Sequence, residues 1–431
     1  MLSQFLAISL GKIIIFLTRV LNIGGGSAAP GLYALKFEPN LVIKLGSQIP
    51  QNIIITGTNG KTTTARLLSH FLKRSGFKVI RNSTGSNLER GIASTLISAS
   101  HLSGVISKGI DIGVWELDEA AFNKVVFQLK PQLIIFLNAF RDQLDRYGEV
   151  DSVVRNWKSS LEIVDWDPTV LINNSDANVQ TLSGLAHLNI QTFGISGVKE
   201  VGEKLISQNP VKKSSDFEAK INRINHLEGS EITVSFNNQA EKFRIPIPGI
   251  YHIFDFLASF AASYLLNLPV SEIKEGLKNF SPAFGRFEQL DFKDKKIYIF
   301  LIKNPAGASL VFETIKPEFR EEDTLLIALN DNFADGTDVS WIWDADFEIL
   351  KSKVAVIASG TRVNDLALRL KYAGFEPNQI SVILSLEAAL INALDKNQGR
   401  IFIMPTYTAM LQLQKILVKK GLKKHYWMEE N

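Results

Sequence analysis

From Ile53 onward, short apolar and β-branched runs alternate with longer stretches in which apolar residues recur at three- and four-residue spacing. A short run that is apolar on both faces has no side to turn to water, so it reads as a strand buried in a parallel sheet. The longer amphipathic stretches read as the helices that cover it. Runs of the first kind fall at Asn52 to Ile55, Lys78 to Ile80, Ile110 to Trp115, Leu133 to Leu137 and Thr169 to Ile172. The chain then turns polar between Ser196 and Glu241 and shows two-residue alternation at Ile232 to Phe236 and Lys242 to Ile247, which predicts an antiparallel hairpin or small insertion. A second series starts near Lys296, with strands expected at Ile297 to Ile302, Thr324 to Leu329, Val354 to Ile357, Ile380 to Ile383 and Arg400 to Met404. The pattern therefore predicts an α/β protein: a doubly wound central domain over 48–283, a Rossmann-like domain over 284–431, and a short N-terminal segment, 1–47.

That segment opens with Phe5 to Leu17, apolar except for Lys12 and followed by Arg19 and the glycines 24 to 26. The run is short for a membrane span and lacks a small-residue cleavage site close behind it. An amphipathic helix packed on the protein or resting on the inner membrane surface through residues 5–20 is expected, with a true anchor as the alternative; the chain is cytoplasmic in both cases.

Composition narrows the function. The 431 residues carry 47 basic and 44 acidic groups, so a net charge of +3 gives no reason to expect nucleic acid. Cysteine is absent, which excludes disulfides, cysteine-ligated zinc and a thiol nucleophile within this chain.

The sharpest local signal is Ile53-Ile54-Ile55-Thr56-Gly57-Thr58-Asn59-Gly60-Lys61-Thr62-Thr63-Thr64, a strand, a glycine turn and a helix start. Gly57 and Gly60 let backbone N–H groups of the Thr58–Asn59 turn close around phosphate oxygens, Lys61 reaches the terminal phosphates, and the hydroxyl of Thr62, next to Thr63, suits Mg²⁺. Hard cations take oxygen ligands, and Glu116 follows the strand ending at Trp115, where a doubly wound sheet places its ligands. The alternative is that Glu116 only caps the next helix. Asn138 leads a mixed-charge loop, Asn138 to Gly148, after another buried strand, a place where loops usually carry function rather than a solvated helix start.

Together these segments resemble the Mur ligase superfamily, whose central domain carries a short G-T-N-G-K-T loop, a strand-end Glu and an Asp-x-Leu-Asp-Arg-Tyr segment. Gln143, where most members have His, matches the MurT branch, as do Asn138 to Glu149, Gly285 to Glu288, Lys303 to Gly307 and Leu329 to Glu348. The resemblance implies a P-loop Mur ligase domain and a C-terminal Mur ligase domain. It also implies ATP and Mg²⁺ as cofactors and a GatD-type glutaminase as partner in a heterodimer. The implied reaction is amidation of the D-glutamate α-carboxyl of lipid II, at the membrane surface, through an acyl phosphate. A ligase adding an amino acid, or a nucleotide-binding scaffold that activates a glutaminase, remains as an alternative.

Under the resemblance, Lys61 and Thr62 handle phosphates and metal, Glu116 the metal, and Arg286 and Lys303 the charge that develops in phosphoryl transfer, while Asn304 orients nucleotide or acyl phosphate. Asp344, with Asp338 second, is expected to support the partner's catalytic histidine; the alternative makes Trp341, Ile342 and Trp343 core and Asp344 a helix cap. Two departures matter. The cysteine-free stretch near Ser196 to Glu241 stands where MurT proteins carry a zinc ribbon, so zinc is not expected. His252 and Asp255 stand where asparagines usually contact adenine, and both side chains can still hydrogen-bond a base. Lys158, spaced like the carbamylated lysine of other Mur ligases, reads as a surface helix residue.

Overall fold

The computed structural model describes residues 2–20, 28–82, 86–140, 150–196, 214–278, 280, 287–292, 295–350, 354–396 and 399–421. Two sheets organise them. In the first, β2 (Val79–Arg81), β3 (Ile112–Leu117), β1 (Gln51–Thr56), β4 (Leu133–Phe136), β5 (Thr169–Asn173) and β6 (Asn189–Ser196) run parallel in that spatial order. The sheet continues through β7 (Phe217–Asn225), parallel to β6, and then through β8 (Gly229–Phe236) and β9 (Gln239–Ile245), each antiparallel to its predecessor. The hairpin expected from alternation is thus the outer part of a three-stranded extension of the main sheet. Strand β6 escaped the pattern because Asn189, Gln191 and Thr192 break its apolar character.

The order places β1 at the centre, with β3 on one side and β4 on the other, so the chain reverses direction in the sheet there. Ligands bind at such switch points, beyond the carboxyl ends of the strands. Helices α4 (Lys61–Arg74), α9 (Ile250–Leu265) and α10 (Val270–Lys278) cover one face around Phe71, Phe256 and Phe260. The other face is covered by α2 (Ala29–Phe37), α3 (Leu41–Gly46), α5 (Glu89–Ala99), α6 (Glu119–Leu129) and α7 (Val150–Glu162), with Trp115 and Trp157 fully buried.

The second sheet has the order β10 (Glu288–Phe292), β11 (Lys295–Ile299), β15 (Ile401–Pro405), β12 (Thr324–Ala328), β13 (Ala355–Ser359) and β14 (Ile380–Val382), parallel except for β10. Its crossovers include α11 (Pro305–Ile315), α12 (Val363–Tyr372) and α13 (Leu386–Lys396), and α14 (Tyr407–Lys419) follows the last strand. Leu227, at the turn between β7 and β8, packs into this second core beside Tyr298, Phe300 and Phe402. The first sheet's extension therefore reaches into the C-terminal domain.

At the N-terminus α1 (Leu2–Val20) is one continuous helix held against α2 and α5. Gly11 lets it approach closely, since a Cβ there would sit 2.8 Å from Ile97 Cδ1. Among the described residues no helix is long and apolar enough to cross a membrane. Gly31 does the same for α2: its N–H donates to Ser94 Oγ at 2.8 Å, and a Cβ would lie 1.9 Å from the Arg90 carbonyl oxygen. Backbone cannot retreat as a flexible side chain can, so Gly31→Ala is expected to destabilise the chain by about 1–3 kcal/mol, the usual cost of overpacking. Gly184, where an added methyl would meet nothing within 4 Å, is the control: Gly184→Ala should leave the urea midpoint nearly unchanged.

Candidate functional site

Between the end of β1 at Thr56 and the start of α4 at Lys61 the chain turns in four residues, which requires left-handed backbone at Gly60 (φ 89°) and a positive φ of 137° at Gly57. Side chains are excluded as well. A Cβ on Gly60 would lie 2.2 Å from Asp255 Oδ1, and one on Gly57 would lie 2.9 Å from the backbone N and O of Asn138. Asn138, just beyond β4, braces the loop: its carbonyl accepts from Thr58 N at 3.1 Å, its Oδ1 from Asn59 N at 2.8 Å, and its Nδ2 donates to Asn59 O at 2.9 Å. The Thr58 hydroxyl adds bonds to both backbone groups of Phe140, at 3.0 and 3.2 Å. Lys61 is buried with its ammonium curled over the loop, donating to the carbonyls of Gly57 and, at 3.1 Å, Thr58, with Glu119 Oε2 at 3.4 Å.

Thr62 Oγ1 donates to Glu116 Oε1 at 2.9 Å. Glu116 lies inside β3, paired with Ile55, rather than after the strand as its sequence position suggested. The ladder begins at Ile112 and runs through Leu117, two residues past the expected end at Trp115. Asn82 secures the segment, accepting from Glu116 N at 2.9 Å and donating to Glu116 O at 2.8 Å. The second carboxylate oxygen of Glu116 and the hydroxyl of Thr63 are buried without a hydrogen-bond partner. Unsatisfied buried oxygens of this kind are costly, and oxygen donors suit a hard cation. Among the described residues no group of three or more His, Asp or Glu converges as a metal cage. A cation that takes one carboxylate, one hydroxyl, phosphate and water fits these residues.

The opposite wall comes from the start of α9. His252 Nδ1 lies 2.9 Å from Asp255 Oδ2, both residues are buried, and His252 Nε2 has no partner. Thr64 Oγ1 donates to Asp255 Oδ1 at 3.5 Å, which links this pair to α4. Between the two domains lies a cleft of about 900 Å³, bordered by Asn59, Gly60, Thr63, Asn138, His252 and Asp255 on its polar side. Phe193, Ile250, Tyr251 and Phe254 give it an apolar side, and Leu301, Lys303, Gly307 and Leu310 close it from the C-terminal domain.

Lys303 and Asn304, distant in sequence from the loop, are thus brought to it. Asn304 is fully buried; its Oδ1 caps α11 through Gly307 N at 2.7 Å, and its Nδ2 donates across the domain boundary to Asn59 Oδ1 at 3.1 Å. Arg286 and residues 141–149, including Gln143, lie outside the described residues. Lys158 is exposed on α7.

Asp344 and Asp338 are elsewhere, in the loop after β12, and do not line the cleft. Asp344 is exposed at the end of the tight turn Ser340–Trp343, its N–H donating to Trp341 O at 3.1 Å. Asp338 caps the start of that turn through Ser340 N at 2.8 Å. Buried Arg369 braces the loop from below, donating to Ile342 O at 2.9 Å, Ala345 O at 2.8 Å and both oxygens of Glu348. Trp341 and Ile342 are core, but Trp343 is half exposed, edge-on to Tyr372 with centroids 5.6 Å apart.

Sequence reasoning passed over Asn82, Asn173 and Asp176. Asp176 caps a short turn of helix through Asn178 N and Val179 N at 2.9 and 3.0 Å, and also accepts from Ala139 N at 3.1 Å, fixing the segment that carries Asn138. Burial outweighs these three donors and pushes its carboxyl up to about 6. The signal was the polar run Asn173-Asn174-Ser175-Asp176 directly after a β-branched strand.

Comparison with known proteins agrees with this architecture. The Mur ligase middle domain matches residues 55–263 and the MurT ligase C-terminal domain matches residues 301–410. Lipid II isoglutaminyl synthase (glutamine-hydrolyzing) subunit MurT of Streptococcus pneumoniae strain R6 is 30% identical across 93% of this chain and 94% of its own. The protein of that name from Staphylococcus aureus strain COL is 30% identical across 95% and 96%. In fold, MurF from Acinetobacter baumannii superposes with a TM-score of 0.68 at 15% identity, covering 91% of this chain and 80% of that one. MurF from Thermotoga maritima, solved with ADP, gives 0.65 at 14%, covering 88% and 83%.

The raised carboxyl of Asp176 carries a signed prediction. A group that binds its proton more tightly folded than unfolded contributes stability at low pH and loses it as pH rises through the folded value. Stability attributable to Asp176 should therefore fall between about pH 4 and 6, by up to roughly 3 kcal/mol at about 1.4 kcal/mol per unit. Urea unfolding at pH 4.5 and 7 checks this: the difference between wild type and Asp176→Asn should shift in the variant's favour at pH 7.

Proposed function

Because the chain belongs to the MurT family of Mur ligases, we propose that it is the synthase subunit of a lipid II isoglutaminyl synthase. ATP is spent to activate the α-carboxyl of the stem-peptide D-glutamate, and ammonia from a GatD-type glutaminase partner completes the amide. The observation that carries this reading is the glycine turn at Gly57 to Lys61, closed against an interdomain cleft and flanked by the unsatisfied carboxylate oxygen of Glu116.

A carboxylate is a poor electrophile because no good leaving group departs from it. In the proposed reaction one carboxylate oxygen attacks the γ-phosphorus of ATP, ADP leaves, and the resulting acyl phosphate has phosphate as its leaving group. Ammonia then adds at the carbonyl carbon, phosphate departs, and the excess proton on nitrogen passes to solvent. Thr58 and Asn59 shape the turn, their amides held by Asn138, and the N–H groups of Gly60 and of the open start of α4, Lys61 to Thr63, are offered to the phosphates, while Lys61 exchanges its loop carbonyls for phosphate oxygens. Thr62 and Glu116 would hold Mg²⁺, which would neutralise charge on the phosphates when bound. Lys303 and Arg286 stabilise charge that builds on the transferring group, and Asn304, bonded to Asn59, ties arrival of the C-terminal domain to the loop. Asn138 fixes the loop, while His252 and Asp255 meet the base beside Tyr251.

Asp344 is the residue we assign to the partner's catalytic histidine, with Asp338 second; exposure on a turn clamped by Arg369 suits a carboxylate offered to another subunit. The enzyme works in the cytoplasm on a membrane-borne acceptor, with α1 resting on the inner membrane face. Zinc has no part in this reading.

Chain, glutaminase, ATP, Mg²⁺, amide-labelled glutamine and lipid II together should transfer the label to the stem peptide; an inert mixture with a competent glutaminase would sink the proposal. Lys61→Ala should lower amidation and ATP turnover by about 10²–10³-fold, the usual effect of removing one preorganised charge-stabilising group. Glutaminase stimulation should persist in that variant. A wild-type chain that stimulates the partner yet hydrolyses no ATP would favour a scaffold instead, and turnover driven by a free amino acid without a partner would favour an amino-acid-adding ligase.

A further inference from the structure

Helix α1 is apolar around its whole circumference, a pattern that belongs to helices covered on every side. Here only one side is covered. Ala7, Ile8 and Gly11 face α2 and α5, whereas Leu2, Phe5, Ile13, Phe16, Leu17 and Val20, on the opposite stripe, are 46 to 73% exposed. Single exposed apolar residues need no explanation, but a helix-long stripe does. The stripe continues. Leu32, Tyr33 and Phe37 of α2 are exposed beside it, as are Leu102 and Val105 in the loop after α5. Two bonds tie these elements to the start of α1: Ser3 Oγ donates to Glu38 Oε2 at 2.7 Å, and Gln4 Nε2 donates to the Gly104 carbonyl at 3.4 Å.

Charge decides what covers this face. The first 37 residues contain Lys12, Arg19 and Lys36 and no acidic group. The first acid, Glu38, is turned inward and held low in pKa by its bonds to Lys44 and Ser3. An exposed apolar stripe in a segment with basic residues and no acidic one matches an anionic lipid surface, into which aromatic and aliphatic side chains sink while lysines such as exposed Lys36 meet headgroups. The 19 residues of α1 would reach about 28 Å, yet side-on packing against α2 and α5 keeps the helix from standing upright in a bilayer.

We propose that α1, α2 and the loop after α5 form one rigid, non-spanning docking face for an anionic bilayer, laying the central domain flat on the membrane. This deepens the reading of a membrane-borne acceptor and rests on it for its purpose: the bound enzyme meets its substrate by diffusion in two dimensions.

The test is flotation of the full chain, alone and with its glutaminase partner, on vesicles of phosphatidylglycerol and phosphatidylethanolamine or of phosphatidylcholine. Partition onto the anionic vesicles is expected, with Ile13→Asp/Phe16→Asp weakening it by about tenfold or more and Lys36→Glu weakening it less. Both altered α1 side chains are solvent-facing, so thermal midpoint and nucleotide affinity should stay at the wild-type level, which separates lost docking from lost folding. The double variant should amidate detergent-dispersed lipid II normally and vesicle-embedded lipid II poorly. A wild-type chain that stays with neither vesicle, or binds both equally, overturns the proposal. So does a dimer in sedimentation that the double substitution dissociates without any vesicle partition, since a second copy would then own the face. Failure to amidate even dispersed substrate would count against the proposed function, while flotation alone would still decide the docking face.

Discussion

A four-residue reversal between a central strand and its following helix is the constraint on which the rest of the structure depends. Backbone N–H groups can converge on an anion only if the turn is tight, and tightness here leaves no volume for a side chain at Gly60, whose missing Cβ is replaced by an oxygen of Asp255. The loop is consequently built from three directions. β4 supplies Asn138 beneath it, α9 supplies Asp255 beside it, and the C-terminal domain supplies Asn304 over it. Each contact fixes the backbone of the turn in advance, leaving Lys61, bonded to the carbonyls of Gly57 and Thr58, as the group that has to turn toward an anion.

The same logic explains the polar groups that the interior tolerates. The Asn82 side chain satisfies both backbone groups of Glu116, and Asp176 is retained at the cost of a raised carboxyl because it anchors Ala139. One oxygen of Glu116, the hydroxyl of Thr63 and one nitrogen of His252 are left without partners at the site, as are groups away from it such as Trp157 Nε1 and Gln414 Oε1. Elsewhere apolar packing around Trp115, Trp157 and the phenylalanines of α9 holds the scaffold.

Much of this was legible in the amino-acid order alone. The parallel strands announced themselves because they are apolar on both faces, and the loop because its glycines, lysine and threonines have no other common use at that spacing. Strands β6 and β10 were hidden, since polar residues mixed into their runs remove the signal that burial on both faces creates. Residues such as Asn82 and Asp176 were hidden for another reason: they act on backbone far away in sequence, which only the folded chain brings close. The alternative that made Trp341, Ile342 and Trp343 all core fails at Trp343, because a tryptophan between core residues can turn outward when a neighbouring arginine and tyrosine provide its packing.

Leu227 gives the two domains a shared seam. It grows from the first sheet yet belongs to the apolar residues of the second core, whereas the bond between Asn59 and Asn304 is polar and short in reach. A swing that parts the asparagines gives up a single hydrogen bond, on the order of 1 kcal/mol, while withdrawing the leucine would expose a whole side chain, about 1.5–3 kcal/mol. Of these two contacts the hydrogen bond is the cheaper to open, so the apolar one holds the seam more firmly.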